Sequence, residues 1–186
     1  MRIVAIQTSP NEDGLTATMA KAALNGAKQE DAEVELMVAK SLHLEACRQC
    51  EDGWGPCRSK GLCIIEDDLE QIREALYRAD GFVLATPVYF GEVSEVTKNF
   101  MDRLRRTEAG RGFDTELTGT WTIGVAAAGG SGGGIVSCQQ VLERYFQHLR
   151  CQIFDMIPVT RFSRDYKVAA AHAAGAALAR HIAEEA

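Results

Sequence analysis

Short apolar runs alternate with amphipathic segments along the whole chain. The runs predict five strands, at residues 2–7, 34–38, 81–85, 121–127 and 153–159. Apolar side chains at spacings of three and four predict five helices, at 15–28, about 67–77, 93–106, 136–149 and 166–184. This alternation of strand and helix is typical of a parallel sheet with right-handed crossovers.

The third strand and the turn after it are the centre of the pattern. Gly81–Ala85 is almost wholly apolar, which is typical of a strand covered on both faces. Pro87 has no N–H group, so the strand is expected to end there. Ligands of open α/β sheets bind outside the carboxyl ends of strands. Tyr89 and Phe90 therefore stand where a flat ligand can be held, unless the two rings only cover the sheet edge.

The turn after the first strand, residues 8–16, is polar and rich in small side chains. A strand, a small-residue loop and a helix N-terminus in that order form an anion site, because free N–H groups and the helix dipole converge there. Ser9, Asn11 and Thr16 add side-chain donors. The alternative is that Asp13 or Thr16 only caps the helix, and the acidic pair Glu12–Asp13 is unfavourable beside a phosphate.

The loop after the fourth strand has five glycines in the six residues 129–134. Such a segment permits positive φ angles and close approach to a flat or charged group, although a mobile lid is the competing explanation. The three loops together predict a site for a flat ring on a phosphorylated stem. A dinucleotide fingerprint is a poor match, because residues 8–15 contain a single glycine, Gly14.

Composition describes an ordinary globular protein. The 186 residues are 46% apolar and 25% charged, which predicts one domain, residues 1–186, with a cysteine-rich loop at 43–66. A formal charge of −6 argues against nucleic acid or anionic membrane as partners. No apolar run approaches a membrane span and no signal peptide opens the chain, so we expect a cytoplasmic location.

Six cysteines raise the question of a metal site. In the cytoplasm they are expected as thiols or metal ligands rather than as a disulfide framework. Four lie in the 43–66 loop, separated by two, six and five residues: Cys47, Cys50, Cys57 and Cys63. Four thiolates suit zinc, and free or redox-active thiols are the alternative. Cys138 and Cys151 are predicted to be buried structural thiols.

Several motifs together resemble one family. They are Ser9-Pro10-x3-Gly14-x-Thr16, Cys47-x2-Cys50, Ala79-Asp80-Gly81, Thr86–Gly91 and Lys98-x-Phe100-x-Asp102-Arg103. In this order they resemble the NAD(P)H-dependent FMN reductase and iron-sulfur flavoprotein group of the flavodoxin-like fold. The resemblance extends over nearly the whole chain, and it implies a three-layer α/β sandwich with a five-stranded parallel sheet of order 2-1-3-4-5.

The resemblance also implies FMN held without a covalent bond. The residues it assigns to the phosphate are Ser9, Asn11, Gly14, Leu15 and Thr16. The residues it assigns to the isoalloxazine ring are Pro87, Val88, Tyr89, Phe90 and Gly91, with Ala128, Gly129, Gly130 and Ser131. The flavin then carries the chemistry, so no catalytic acid or base is expected among the side chains.

The implied activity is transfer of electrons from NAD(P)H to a quinone, a flavin or another small acceptor. A non-enzymatic electron carrier or redox sensor is the alternative, and a homodimer or homotetramer is expected. Some members of the group carry a [4Fe–4S] cluster, for which Cys47, Cys50, Cys57 and Cys63 are candidates, but their motif has two residues where six separate Cys50 from Cys57 here. Otherwise the loop is expected to be an ordered flap in which Trp54 covers the flavin of its own or of a partner subunit.

Two further expectations concern the helix after the third strand. Lys98 and Asp102 are one turn apart, which predicts an exposed structural ion pair. Arg103 is expected to reach a neighbouring subunit.

Overall fold

The computed structural model describes residues 1–185, so Ala186 of the predicted domain lies outside the described residues. Within residues 1–185 there are six strands: β1 (Arg2–Gln7), β2 (Glu33–Val38), β3 (Gly81–Tyr89), β4 (Glu92–Val93), β5 (Trp121–Ala128) and β6 (Gln152–Thr160). The α-helices of the same residues are α1 (Leu15–Gln29), α2 (Cys50–Gly53), α3 (Pro56–Lys60), α4 (Leu69–Tyr77), α5 (Glu95–Gly110), α6 (Ile135–His148) and α7 (Arg164–Glu185). None of these helices is long and apolar enough to cross a membrane.

The five long strands form a parallel sheet of order β2-β1-β3-β5-β6. The short β4 was not predicted, and it pairs antiparallel with the end of β3. The predicted fourth and fifth strands are therefore β5 and β6, and the predicted order 2-1-3-4-5 is confirmed. The sheet has β3 in the middle, between β1 and β5. The loops that follow these three strands therefore lie side by side at the carboxyl edge.

Helices cover both faces of the sheet, as the apolar runs indicated. Phe82 and Leu84 of β3 pack with α4, α5 and α6 on one face, whereas Val83 and Ala85 pack with α1 and α7 on the other. This alternation is the two-residue period of a strand buried on both sides. The first face includes an edge-to-face contact between Phe82 and Phe146, with ring centroids 5.8 Å apart.

Helices α1 and α7 touch through their backbones. A Cβ atom at Gly26 would stand 1.9 Å from the carbonyl oxygen of His172, and one at Gly175 would stand 1.9 Å from that of Ala23. Glycine is therefore required at both positions for the helices to approach this closely. Both helices begin at the carboxyl edge of the sheet, so their first turns are held next to each other.

Strand β3 does not end at Pro87, as the sequence predicted, but continues to Tyr89. Strand β1 stops opposite Ala85, and β4 pairs with β3 only at Val88 and Tyr89, so Pro87 has no β1 residue beside it. Proline is tolerated at edges because its missing N–H group interrupts no ladder. The chain then reverses through Phe90 and Gly91 into β4.

Candidate functional site

The three predicted loops meet at the carboxyl edge of the sheet. They follow β1, β3 and β5, which are neighbours. The hairpin after β3 and the glycine loop after β5 are in direct contact: Ser137 Oγ donates to the carbonyl oxygen of Gly91 at 2.8 Å. A Cβ atom at Gly134 would stand 2.5 Å from Gly91 Cα. The predicted site residues are thus brought together in one place.

The first loop leaves the start of α1 open. Gly14 is the N-cap residue, and no side chain caps the helix, so the expectation that Asp13 or Thr16 acts as a cap is wrong. The first helical hydrogen bond runs from the N–H of Thr18 to Gly14 O at 3.0 Å. The N–H groups of Leu15, Thr16 and Ala17 consequently have no side-chain acceptor, which is the arrangement that binds a phosphate.

Side chains of the same loop fix its shape. The N–H of Asn11 donates to Ser9 Oγ, and the N–H of Asp13 donates to Asn11 Oδ1, both at 3.1 Å. The charge of Glu12 is offset by Lys40, whose Nζ lies 3.3 Å from its carboxylate. Lys40 therefore neutralises part of the negative charge that made this loop unfavourable for an anion. This lysine was not singled out from the sequence.

The hairpin presents both exposed rings and free donors. Phe90 and Gly91 have φ angles of 51° and 81°, as in the two-residue turns that suit the twist of a hairpin. Phe90 is fully exposed and Tyr89 is 41% exposed. A bulky residue with positive φ is strained, and such strain is concentrated at functional sites. Within residues 1–185, the N–H groups of Phe90 and Gly91 have no hydrogen-bond acceptor.

The glycine loop offers bare backbone. Nothing lies within 4 Å of where a Cβ atom would stand at Gly129 or Gly130. Both glycines are exposed, as is Ser131, whose Oγ accepts from the N–H of Gly133 at 3.2 Å. A planar group can therefore approach the backbone of this loop without displacing a side chain.

A buried hydroxyl network supports the hairpin from below, and sequence reasoning missed it. Thr97 Oγ1 of α5 lies 2.8 Å from Thr86 Oγ1 and donates to Thr8 Oγ1 at 2.6 Å, and Ser94 caps α5. All four side chains are buried. The available signal was the small polar residues at the ends of otherwise apolar strands. The network ties the loop after β1 to the hairpin after β3.

The cysteine loop, residues 43–66, is closed at its base. The N–H of His43 donates to Asp68 Oδ2 at 2.7 Å, and the N–H of Glu45 donates to Asp67 Oδ2 at 2.8 Å. These bonds join the two ends of the loop at the start of α4. The cysteine loop is consequently an ordered segment whose two ends lie next to each other.

One face of α5 carries the cysteine loop. Asn99 Nδ2 lies 3.5 Å from Leu44 O, Arg106 Nη1 donates to Gly53 O at 2.6 Å, and a Cβ atom at Gly110 would stand 1.8 Å from Cys57 O. With Arg103, these positions recur at helical spacing. The helical spacing of Asn99, Arg103, Arg106 and Gly110 in the sequence could have identified this face of α5.

Arg103 does not reach a neighbouring subunit, as the sequence suggested. Its guanidinium forms a buried ion pair with Asp67 and donates to Glu45 O at 3.1 Å, while Nη2 lies 3.4 Å from Cys63 Sγ. Burial raises the pKa of Asp67, but the hydrogen bonds from Arg103 and from the N–H groups of Glu45 and Leu69 outweigh it, so the pKa lies below its ordinary value. The pair fixes the loop on α5.

All four thiols of the cysteine loop line one cavity of about 20 Å³, next to Arg48, Arg103 and Arg106. This volume holds about one water molecule, so a four-iron cluster does not fit the arrangement. Within residues 1–185, no group of three or more His, Cys, Asp or Glu side chains is placed to hold a metal ion. The structure therefore supports neither the cluster nor the zinc alternative.

Two other residues of this region, Trp54 and Lys98, form contacts with charged side chains. Trp54 lies 4.6 Å below the Arg106 guanidinium, measured from ring centroid to Cζ, in a cation–π contact on the α5 side of the loop. Lys98 and Asp102 form the predicted i,i+4 ion pair, and Arg105 shares the carboxylate. Neither feature belongs to the three loops at the sheet edge.

Cys138 and Cys151 are buried, as predicted. Burial raises the pKa of each thiol to about 12. These two sulfur atoms are therefore protonated at neutral pH and take no part in thiolate chemistry.

Comparison with known proteins settles the family. The family model described as NADPH-dependent FMN reductase matches residues 1–163. The chain belongs to the NADPH-dependent FMN reductase family. An iron-sulfur flavoprotein of Methanocaldococcus jannaschii is 30% identical over 162 residues, which are 87% of this chain and 80% of that protein. Against three further iron-sulfur flavoproteins, the chain spans 46–52% of the relative's length.

Solved structures identify the fold of this FMN reductase family member as flavodoxin-like. A flavodoxin, WrbA-like protein from Agrobacterium tumefaciens has a TM-score of 0.66 at 18% identity, covering 100% of this chain and 99% of that one. An NADH:FMN oxidoreductase in its apo form has a TM-score of 0.69 at 20% identity, covering 97% of this chain and 89% of that one. These likenesses confirm the predicted fold class.

Proposed function

We propose that the protein binds FMN without a covalent bond and transfers electrons from NADPH or NADH to a small acceptor, a quinone or a flavin. The observation that carries this proposal is the junction of the three loops: the open start of α1, the exposed hairpin rings and the bare backbone of the glycine loop. The family match supports FMN as the flavin.

Each loop has a defined part in the proposal. Ser9, Asn11, Gly14, Leu15 and Thr16 surround the phosphate, which takes the free N–H groups at the start of α1. Pro87–Gly91 and Ala128–Ser131 border the ring. The two free N–H groups at Phe90 and Gly91 donate to the polar edge of the ring, where negative charge develops on reduction.

The chemistry that FMN supplies when bound is hydride acceptance from a nicotinamide and onward electron transfer. The protein contributes binding and orientation. Phe90 and Tyr89 exclude water from one side of the site, and the hydroxyl network of Thr8, Thr86 and Thr97 holds the hairpin that carries them. No side chain is assigned as a catalytic acid or base.

The test is reconstitution followed by turnover. Purified protein freed of flavin is titrated with FMN, and oxidation of NADPH and NADH is then followed without oxygen, with and without a quinone. Stoichiometric FMN binding and acceptor-dependent oxidation support the proposal. Protein that stays colourless with excess FMN overturns it.

The proposal includes a homodimer or homotetramer. The fully exposed Phe90 ring at the edge of the site supports this, because a second subunit placed there would remove it from water. Light scattering coupled to size-exclusion chromatography of FMN-loaded protein measures the assembly. A monomeric mass contradicts this part of the proposal.

A second candidate is electron transfer between proteins, as an iron-sulfur flavoprotein. It is favoured by one observation, the convergence of Cys47, Cys50, Cys57 and Cys63 on a single cavity, and by the names of the relatives. Since the cavity as folded is too small for a cluster, the loop would have to open. Iron and acid-labile sulfide are assayed on protein purified without oxygen, and about four irons per chain would favour this candidate over the first.

A further inference from the structure

Arg164, the first residue of α7, reaches across to the start of α1. Its Nη2 donates to Thr18 Oγ1 at 3.3 Å, and that hydroxyl donates to the carbonyl oxygen of Gly14 at 3.0 Å. Gly14 is the N-cap residue of the helix that no side chain caps. The guanidinium is therefore linked through the Thr18 hydroxyl to the N-cap residue of α1.

The charge of Arg164 is unpaired. Within residues 1–185 it forms no ion pair, and its side-chain partner is a neutral hydroxyl. Arg103 and Arg180, by contrast, are each paired with a carboxylate. An exposed guanidinium beside an open helix start is suited to a phosphate, because its planar donors match the phosphate oxygens.

The phosphate loop itself lacks a cation. Residues 9–16 contain two acids and no basic side chain. Lys40 pairs with Glu12, and no basic side chain of residues 1–185 forms an ion pair with Asp13. A dianionic phosphate at this loop needs further positive charge. Lys21 of α1 donates to Glu12 O at 3.2 Å, and the packing of α1 against α7 adds the guanidinium of Arg164 beside Thr18.

We propose that Arg164 is a ligand of the FMN phosphate. A guanidinium has five N–H donors, so Arg164 can keep its bond to Thr18 while donating to the phosphate together with the N–H groups of Leu15 and Thr16. The inference rests on the proposed function, in that FMN occupies this loop. It adds a binding residue from the opposite half of the sequence, after β6.

Riboflavin provides the test, because it has the ring and ribityl chain of FMN without the phosphate. Flavin-free protein is titrated with each ligand, and binding is followed by flavin fluorescence. We expect Arg164→Gln to weaken FMN roughly ten- to hundredfold and to change riboflavin affinity by less than about twofold. Arg164→Lys should recover part of the FMN affinity.

Arg161→Gln is the matched control. Arg161 is also an exposed cation after β6, but it stacks on the ring of Phe162, with Cζ 4.6 Å from the ring centroid. This variant should bind both ligands like the wild type. Circular dichroism melting curves verify that each variant is folded.

Three results would count against the inference. FMN affinity of Arg164→Gln equal to that of the wild type overturns it, and so does an equal loss of FMN and riboflavin affinity, which would assign Arg164 to folding of the site. A wild type that binds riboflavin as tightly as FMN also overturns it. A wild type that binds neither ligand overturns the proposed function itself.

Discussion

Arg103 and Asp67 form an ion pair whose side chains are 1% and 0% exposed. The same guanidinium donates to Glu45 O and lies 3.4 Å from Cys63 Sγ. A single buried charge on α5 thus holds the first and last parts of the cysteine loop and one of its thiols.

Removing one partner should be costly. Arg103→Met leaves the Asp67 carboxylate buried without its cation, and we expect the free energy of unfolding to fall by roughly 3–5 kcal/mol. Urea unfolding measures this value. Lys98→Met, which breaks the exposed pair with Asp102, is the control and should cost less than about 1 kcal/mol. Equal stability of the two variants would contradict the buried-pair assignment.

Acid should weaken the same contact. The pKa of Asp67 is lower in the folded protein than its ordinary value, so the pair adds stability above the unfolded-state pKa, about 3.9. That contribution is lost as pH falls through the folded-state pKa. Asp67→Asn should therefore lose stability at neutral pH and show a smaller further loss between pH 5 and pH 2. Parallel acid slopes for the two proteins would refute this.

Substitutions of Phe90, which has a strained backbone, should change stability and FMN binding to different extents. Phe90→Gly stabilises the folded state by about 1 kcal/mol because it relieves the strain of a left-handed backbone. Glycine also gives the unfolded chain more freedom, which lowers stability by about 0.4–1 kcal/mol. The two effects nearly cancel, so the free energy of unfolding should change little. Loss of the ring should weaken FMN binding or raise KM roughly two- to tenfold. Phe90→Ala is the matched variant: it loses the same ring but keeps the strain. Unchanged FMN affinity and KM in both variants would show that the ring takes no part in binding FMN.

Two glycines of one loop should respond differently. Gly134→Ala places a Cβ atom 2.5 Å from Gly91 Cα at a φ of 76°, and we expect a loss of at least about 1–2 kcal/mol in unfolding free energy. Gly129→Ala meets nothing within 4 Å, so its stability should match the wild type while its FMN affinity falls. A Gly129→Ala protein with wild-type FMN affinity would place the ring elsewhere.

Burial divides the thiols into two classes. Cys138 and Cys151, whose pKa is raised to about 12, should resist iodoacetamide at pH 8 in the folded protein and react after denaturation. The four loop thiols are partly exposed and should react first. Mass spectrometry of the labelled peptides gives the order. Early labelling of Cys151 would contradict the packing at the start of β6.

The strands and the parallel sheet were predicted from the sequence because apolar runs and turns are local signals, whereas the strand order came from the resemblance to the family. The buried strand at Gly81–Ala85 and the glycine loop after β5 can each be recognised from a few consecutive residues. The continuation of β3 past Pro87 was missed, since it depends on where β1 stops. That information belongs to a neighbouring strand nearly 80 residues earlier and not to the proline itself.

The charged contacts were the hardest to predict. Arg103 forms its ion pair with Asp67, and Glu12 forms its ion pair with Lys40. These pairs are created by tertiary packing, which no periodicity reports. The Lys98–Asp102 pair, one turn apart on a single helix, was predicted correctly for the opposite reason.

The glycine contact between α1 and α7 has a consequence for biosynthesis. Arg164 is translated 146 residues after Thr18, a delay of roughly 7–30 s at about 5–20 residues per second. During that interval the nascent chain has the start of α1 without the Arg164 guanidinium that contacts Thr18. With the proposed role of Arg164, full affinity for the FMN phosphate requires that α7 has left the ribosome and docked on α1.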